Sequence, residues 1–327
     1  MAGPFYVDPD GDDSTGLDWT HAWQSLQSAL DTAAAGEIIY CRGTETIAAP
    51  IDVDTNEGSN AAGFIKVIGC NASGNVDGTR YIIDAEGNNV DAINIAGKDL
   101  YWWQNIETRN TGTEDGFYTS TAGTGHVFIN CCAYNCTVGF RFTGCHGFLV
   151  YRCVAYGGTY GFNSDGYSPL VCCCAHDNTS YGFGNTRLCI GCLSYDNLYG
   201  FYTITYNGIH FNCVAEASTT DGFVISNAGN YHVDMIGCRV TNTGTMGVEC
   251  NDEPTVIGWS YFEDNTGDNI QETTNFEFIP KDDNTTTNQE DQADTNEGYT
   301  NKGDGTEDLN LRSDATLRRE AISIPTS

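Results

Sequence analysis

Basic residues are scarce in this chain. Fourteen Lys and Arg stand against 44 Asp and Glu, a formal net charge of −30 over 327 residues. Nucleic acid and anionic membranes are recognised by clustered cations, so neither is expected as a partner. Long apolar runs are missing as well, and none approaches the roughly 20 residues of a membrane-spanning helix. Met1 leads straight into Pro4-Phe5-Tyr6 without a basic and then an apolar segment, so export through a cleaved signal peptide is not expected. No Gly-x-Ser-x-Gly elbow, phosphate-binding loop or dinucleotide fingerprint occurs where strand-turn-helix context would support it, which removes the chemistries those motifs serve.

What the chain has instead is a repeat. Between residues 125 and 249 six segments fall on one template: NCCAYNCTVGF, RCVAYGGTYGF, CCAHDNTSYGF, GCLSYDNLYGF, NCVAEASTTDGF and GCRVTNTGTMGV. Cys131, Cys153, Cys173, Cys192, Cys213 and Cys238 form one column, with successive offsets of 22, 20, 19, 21 and 25. A second column pairs Gly with an aromatic or apolar residue, from Gly139-Phe140 through Gly161-Phe162, Gly182-Phe183, Gly200-Phe201 and Gly222-Phe223 to Gly247-Val248. Self-similarity at this period means a solenoid whose turns accept insertions. No helical segment recurs, so leucine-rich and ankyrin solenoids do not fit.

Alternation about the Cys reads as a strand with one buried face. It predicts inward positions two residues before the Cys, at Ile129, Tyr151, Val171, Ile190, Phe211 and Ile236, and two after it, at Ala133, Ala155, Ala175, Ser194, Ala215 and Val240. A polar corner follows at Asn135, Gly157, Asp177-Asn178, Asp196-Asn197, Ala217-Ser218 and Asn242, residue types that mostly tolerate left-handed backbone. The outward positions are unusual for a solvent face. Cys132, Val154, Cys174, Leu193 and Val214 are apolar, and beside them run Tyr134, Tyr156, His176 and Tyr195. That stripe is expected to be a covered contact surface.

These columns resemble the right-handed parallel β-helix of the pectate-lyase-like superfamily, over roughly residues 3 to 275. The resemblance implies an all-β solenoid with an amphipathic capping helix in front and an irregular tail behind. Residues 1–43 form the cap, with Trp23, Leu26, Leu30 and Ala33 spaced for a helix over residues 21–34. Residues 44–275 form the coils. Residues 276–327 are a polar linker and a docking tail, low in apolar residues until Leu309, Leu311, Leu317, Ile322 and Ile324.

Candidate chemistry is thin. Fifteen Cys sit mostly in structural columns, so they read as small buried hydrophobes rather than disulfides or a metal site. Asp8, Asp10 and Asp12 look like the start of a calcium loop without the distal Glu of an EF-hand, and calcium is the one cofactor considered. Polysaccharide lyases of the resembled superfamily take a proton alpha to a uronate with a basic group. The basic cluster offered here is Arg141, Arg152, His146 and His176. Glycoside hydrolases of the same superfamily use Asp-rich and Gly-His-Gly motifs, of which Cys145-His146-Gly147 is the nearest.

Two function classes remain. The sequence favours a non-catalytic structural or adhesive protein, since the chain also resembles phage virion and tail-type β-helix proteins. That reading places it in a virion, touching other virion proteins, copies of itself or cell-surface polysaccharide. The alternative is an extracellular lyase or hydrolase acting on an acidic polysaccharide.

Overall fold

The computed structural model describes residues 4–119, 123–144, 147–164, 168–203, 207–226, 233–251, 255–258, 260–267 and 270–272. Strands of three to five residues succeed one another, and each pairs in parallel with its counterpart one coil on. Three sheets result, of eleven, ten and ten strands. Sheet A runs from Phe5–Val7 to Thr255–Gly258, sheet B from Thr44–Thr46 to Tyr261–Glu263, and sheet C from Ile51–Val53 to Ile270–Glu272. The chain is a right-handed parallel β-helix, as its repeat predicts.

Two of the three corners are each set by one left-handed residue. Between sheets B and C it is Asn110, Asn135, Gly157, Asp177, Asp196, Ala217 and Asn242, with φ between 51° and 71°. This is the corner expected from the sequence. The corner between sheets A and B was not expected, and it lies immediately before the Cys column. Asn105, Asn130, Arg152, Cys172, Gly191, Asn212 and Gly237 hold φ between 51° and 65° there. Such backbone costs an ordinary residue about 1–2 kcal/mol, and the asparagines offset part of it by bonding between coils. Asn130 Nδ2 donates to Asn105 Oδ1 at 2.8 Å, and Asn135 Nδ2 to Asn110 Oδ1 at 2.9 Å.

That first corner corrects the strand phase. One left-handed residue between strand and Cys resets the alternation, so Ile129, Tyr151, Val171, Ile190, Phe211 and Ile236 point outward. The core instead receives Phe128, Val150, Leu170, Cys189, His210 and Met235, three residues before each Cys and all fully buried. After the Cys the predicted inward column holds, from Ala133 to Val240.

Inside, like packs on like. Phe117, Phe140, Phe162, Phe183, Phe201 and Phe223 stack with centroids 4.5–5.0 Å apart and planes within 8° of parallel. The glycine before each ring is required by close approach to sheet B. A Cβ on Gly139 would lie 2.7 Å from the Ala155 Cβ and from the Gly161 carbonyl oxygen. The column cysteines are fully buried and act as more than filler. The thiols of Cys173, Cys192 and Cys213 donate to the carbonyls of Val150, Leu170 and Cys189, one coil below, at 3.2–3.4 Å. Ser260 takes the same place at the upper end and donates to Gly258 O.

The capping helix is shorter than its periodicity suggests, Leu26–Thr32, with Ser25 as N-cap. Trp23 is outside it because its backbone pairs with Tyr6 and Asp8 at the edge of sheet A. Leu26, Ala29 and Leu30 are buried against the first coil. Gln27 closes the free edge of sheet C like a missing strand: its Nε2 donates to Asp52 O at 3.0 Å and its Oε1 accepts from Asp52 N at 2.7 Å. Buried Glu45 accepts from Leu26 N at 3.0 Å and from the Tyr81 hydroxyl. The polar linker and tail after residue 275 lie outside the described residues.

Two outcomes follow from this core. Truncating the ring of Phe183 to Ala breaks the middle of the stack and is expected to cost about 3–5 kcal/mol in denaturant unfolding. Native thiol titration is expected to label at most Cys145, Cys172 and Cys174 rapidly, since the other 12 of the 15 cysteines are buried. All 15 are expected to react in denaturant.

Candidate functional site

The basic residues that sequence reasoning grouped do not meet. Arg141 lies on the outer face of sheet C, Arg152 is a left-handed corner residue, and His176 faces outward from sheet B. His146 lies outside the described residues. The cause is geometric: each coil turns through three faces, so near neighbours in sequence are carried to different sides. The Asp8, Asp10 and Asp12 carboxylates also fail to converge. Asp8 accepts from Arg42 Nε at 2.7 Å, Asp12 accepts from Ser14 at 2.6 Å within its own turn, and no metal-holding group of His, Cys, Asp or Glu occurs among the described residues.

The stripe on sheet B does face outward, but its chemistry differs from the expectation. Cys132 is buried rather than exposed, with the Arg80 guanidinium bonded to Asn130 O just before it. Val154, Cys174, Leu193 and Val214 are half-buried. Tyr134, Tyr156, His176 and Tyr195 form a ladder with centroids 4.7 Å apart at each step. Because each ring covers its neighbour's face, mostly edges are left for a ligand. A sugar that stacks on an aromatic face finds little room here.

Sheet C presents a different surface. Its outward column runs Asp52, Asn94, Tyr118, Arg141, Asn163, Gly184 and Tyr202, one residue per coil in register. A second column, just before the Gly-Phe pairs, holds Asp91, Asp115, Val138, Tyr160, Tyr181 and Tyr199. Where the two columns meet, Arg141 Nη1 lies 3.0 Å from Asp115 Oδ2, and its guanidinium sits over the Tyr118 ring at 5.9 Å. The Asp115 side chain is only 3% exposed, whereas that of Arg141 is 38% exposed. Asp91 Oδ1 accepts from Asp115 N at 3.0 Å, so two carboxyl groups occupy successive coils.

The electrostatics follow from burial. Desolvation pushes the Asp115 carboxyl up to about 7 despite the pull of Arg141, and neighbouring Asp91 adds to the rise. Burial raises Asp91 too. Around them, Asn94 Oδ1 and Asn163 Oδ1 are buried and lack hydrogen-bond donors, while Asp115 Oδ2 faces only the Arg141 guanidinium. Two unpaired amide acceptors on one face suit a ligand rich in hydroxyl groups. Above them Tyr181 and Tyr202 stack at 4.2 Å, the Tyr181 ring lying over Gly184, which has no side chain to displace it. The face therefore passes from a carboxyl and guanidinium group to an aromatic platform within a few coils.

Sequence reasoning named Arg141, set Asp115 aside as one of many adjacent carboxylates, and did not name Asp91. In so acidic a chain a single Asp carries little information. The available signal was positional: Asp91 and Asp115 stand where later coils place Val138, Tyr160, Tyr181 and Tyr199.

No protein-family model matches this chain, and no curated protein sequence matches it. Solved structures do. Pectate lyase Pel9A is similar with a TM-score of 0.66 at 18% identity, over 83% of this chain and 78% of that one. An alginate lyase from Paenibacillus sp. str. FPU-7 is similar with a TM-score of 0.52 at 12% identity, over 77% of this chain and 94% of that one. At these identities the likeness establishes the pectate-lyase-like parallel β-helix fold and nothing finer.

Asp115 makes stability depend on pH in a fixed direction. Its folded pKa lies above the ordinary carboxylate value, so its contribution is complete below about pH 4 and is lost as pH rises through about 7. Asp115→Asn cannot ionise. Its melting temperature relative to wild type is expected to rise between about pH 5 and pH 8, whereas a constant difference across that range would mean that Asp115 titrates normally.

Proposed function

We propose that this pectate-lyase-like β-helix cleaves a polysaccharide laid along the outer face of sheet C, with Asp115 as the proton-transferring group. The observation that carries the reading is the buried Asp115 carboxyl, held 3.0 Å from Arg141 and shifted to about 7. A group near neutrality both gives and takes a proton at working pH, which general acid-base catalysis requires. Arg141, half open to solvent, neutralises a sugar carboxylate. Asn94 and Asn163 accept from hydroxyls, and the Tyr181-Tyr202 platform supports the chain further along. Structures of similar fold include a pectate lyase and an alginate lyase, which is consistent with this class of substrate.

The net charge of −30 sets a condition on that substrate. Long-range repulsion weakens the approach of a polyanion, and salt at physiological strength screens charges beyond about 8 Å. Binding of an acidic glycan is therefore expected to improve as salt is raised from low levels, the reverse of an ordinary cation-driven site. A structural or adhesive role draws instead on sheet A, whose outward residues from Trp102 to Phe211 carry no charge. Activity on glycans separates the two readings.

The test is a panel of neutral and uronate-containing polysaccharides assayed for new reducing ends and for unsaturated products. Cleavage is expected for the wild type, with Asp115→Asn reducing kcat by about 100-fold or more, as loss of an acid-base group does. Arg141→Ala is expected to act mainly on KM for the uronate-containing members. A wild type that cleaves nothing, or an Asp115→Asn variant of full activity, removes the catalytic reading.

A further inference from the structure

The left-handed corner before each Cys turns a second set of side chains to the outside, and the surface they make is longer than the four-strand stripe from Cys132 to Tyr195 on sheet B. From the strand Tyr101–Gln104 to the strand Gly208–Phe211, sheet A presents twelve outward residues, two per strand over six strands. Eleven are apolar or aromatic, and the other is Gln104. None is charged, in a chain that carries 44 acidic residues. Leu149, Ile209 and Phe211 expose 37%, 44% and 41% of their surface.

We propose that this face is an interface between two copies of the chain, packed sheet on sheet. Charge argues for the occupant. Sheets B and C both carry charges on their outer faces, such as Arg109, Glu216 and Arg239 on sheet B and Asp52, Arg141 and Glu249 on sheet C. Two molecules each of charge −30 repel wherever acids face one another. Their contact is favoured where the outward residues bring fewest acids, and an apolar sheet face complements a second copy of itself under a two-fold axis.

Area agrees. Twelve partly exposed side chains amount to roughly 600 Å², the upper limit of the largest apolar patch on a typical monomer. A standard interface buries about 800 Å² per partner, so the contact extends to the adjoining coils, which bring Ile68 beside Lys66 below and Ile236 beside Asp234 above. A face whose polar groups are Gln104, bonded to the Trp102 indole, and the Tyr151 hydroxyl offers a glycan few partners, and the contact leaves sheet C of each copy open.

Sedimentation velocity on the full-length chain tests this. The wild type is expected at twice the chain mass. Ile209→Glu places a carboxylate within the contact of each copy, at its upper end beside Asp234, and is expected to weaken dimerisation at least 100-fold, giving folded monomer at micromolar concentration. Leu149→Lys, on a different coil, repeats the measurement should Ile209→Glu melt early. A wild type that stays monomeric up to its solubility limit overturns the proposal. It then assigns the face to a lipid surface if the protein floats with phosphatidylcholine vesicles, or to the residues after 278 if Ile209→Glu makes them newly sensitive to protease. A dimer that survives both variants also overturns it.

Discussion

From the coil that begins at Tyr101 onward, the chain turns at a single left-handed residue at two corners of each coil, and that backbone is the constraint that the rest of the molecule obeys. It fixes which side chains reach the core, because a strand that enters such a corner leaves it with its alternation reset. Parallel pairing then copies that choice to the next coil, since a slip of one residue would exchange the core and solvent faces. Where the corner is Asn, a side-chain ladder bonds one coil to the next. Where it is Arg152, Cys172 or Ala217, the stack imposes the same φ without that help.

The narrow space between sheets B and C comes from the same geometry. The chain turns so tightly at the B to C corner that Gly is needed opposite Ala, and the ring after each Gly then has one direction available, towards the axis. Six phenylalanines pile up because each is placed by the same turn as the one below. The cysteines answer a related need at the other corner. A small apolar residue fits there, and a thiol adds a weak donor for a carbonyl of the coil beneath.

Much of this was legible in the sequence because identical jobs recur at a fixed interval. The Cys column, the Gly-Phe column and the second corner could be read by setting the segments in register. The first corner escaped notice although Asn130, Gly191, Asn212 and Gly237 mark it, because Arg152 and Cys172 share the column and hide the turn signal. That omission reversed the reading of Ile129 to Ile236 and with it the location of the apolar face. Candidate site residues are harder to read than fold residues, since a site occurs once and has no second copy to align. Asp115 matters through its burial and its neighbour Arg141 on the next coil, and neither is visible without knowing that residues 26 apart stand side by side.

Gln27 presents one amide to Asp52 and so finishes the lower edge of sheet C with a side chain instead of another strand. A stack of equivalent layers has no inherent first layer, and any coil would serve as a template for a neighbour. By occupying the lowest rung, Gln27 gives the solenoid a defined origin and keeps a foreign strand from adding itself below. The consequence is one of counting: the number of layers above the cap is set by the gene and not by growth. A whole layer gained or lost by duplication or deletion would lengthen or shorten the outer faces in steps of one rung, leaving the seal untouched.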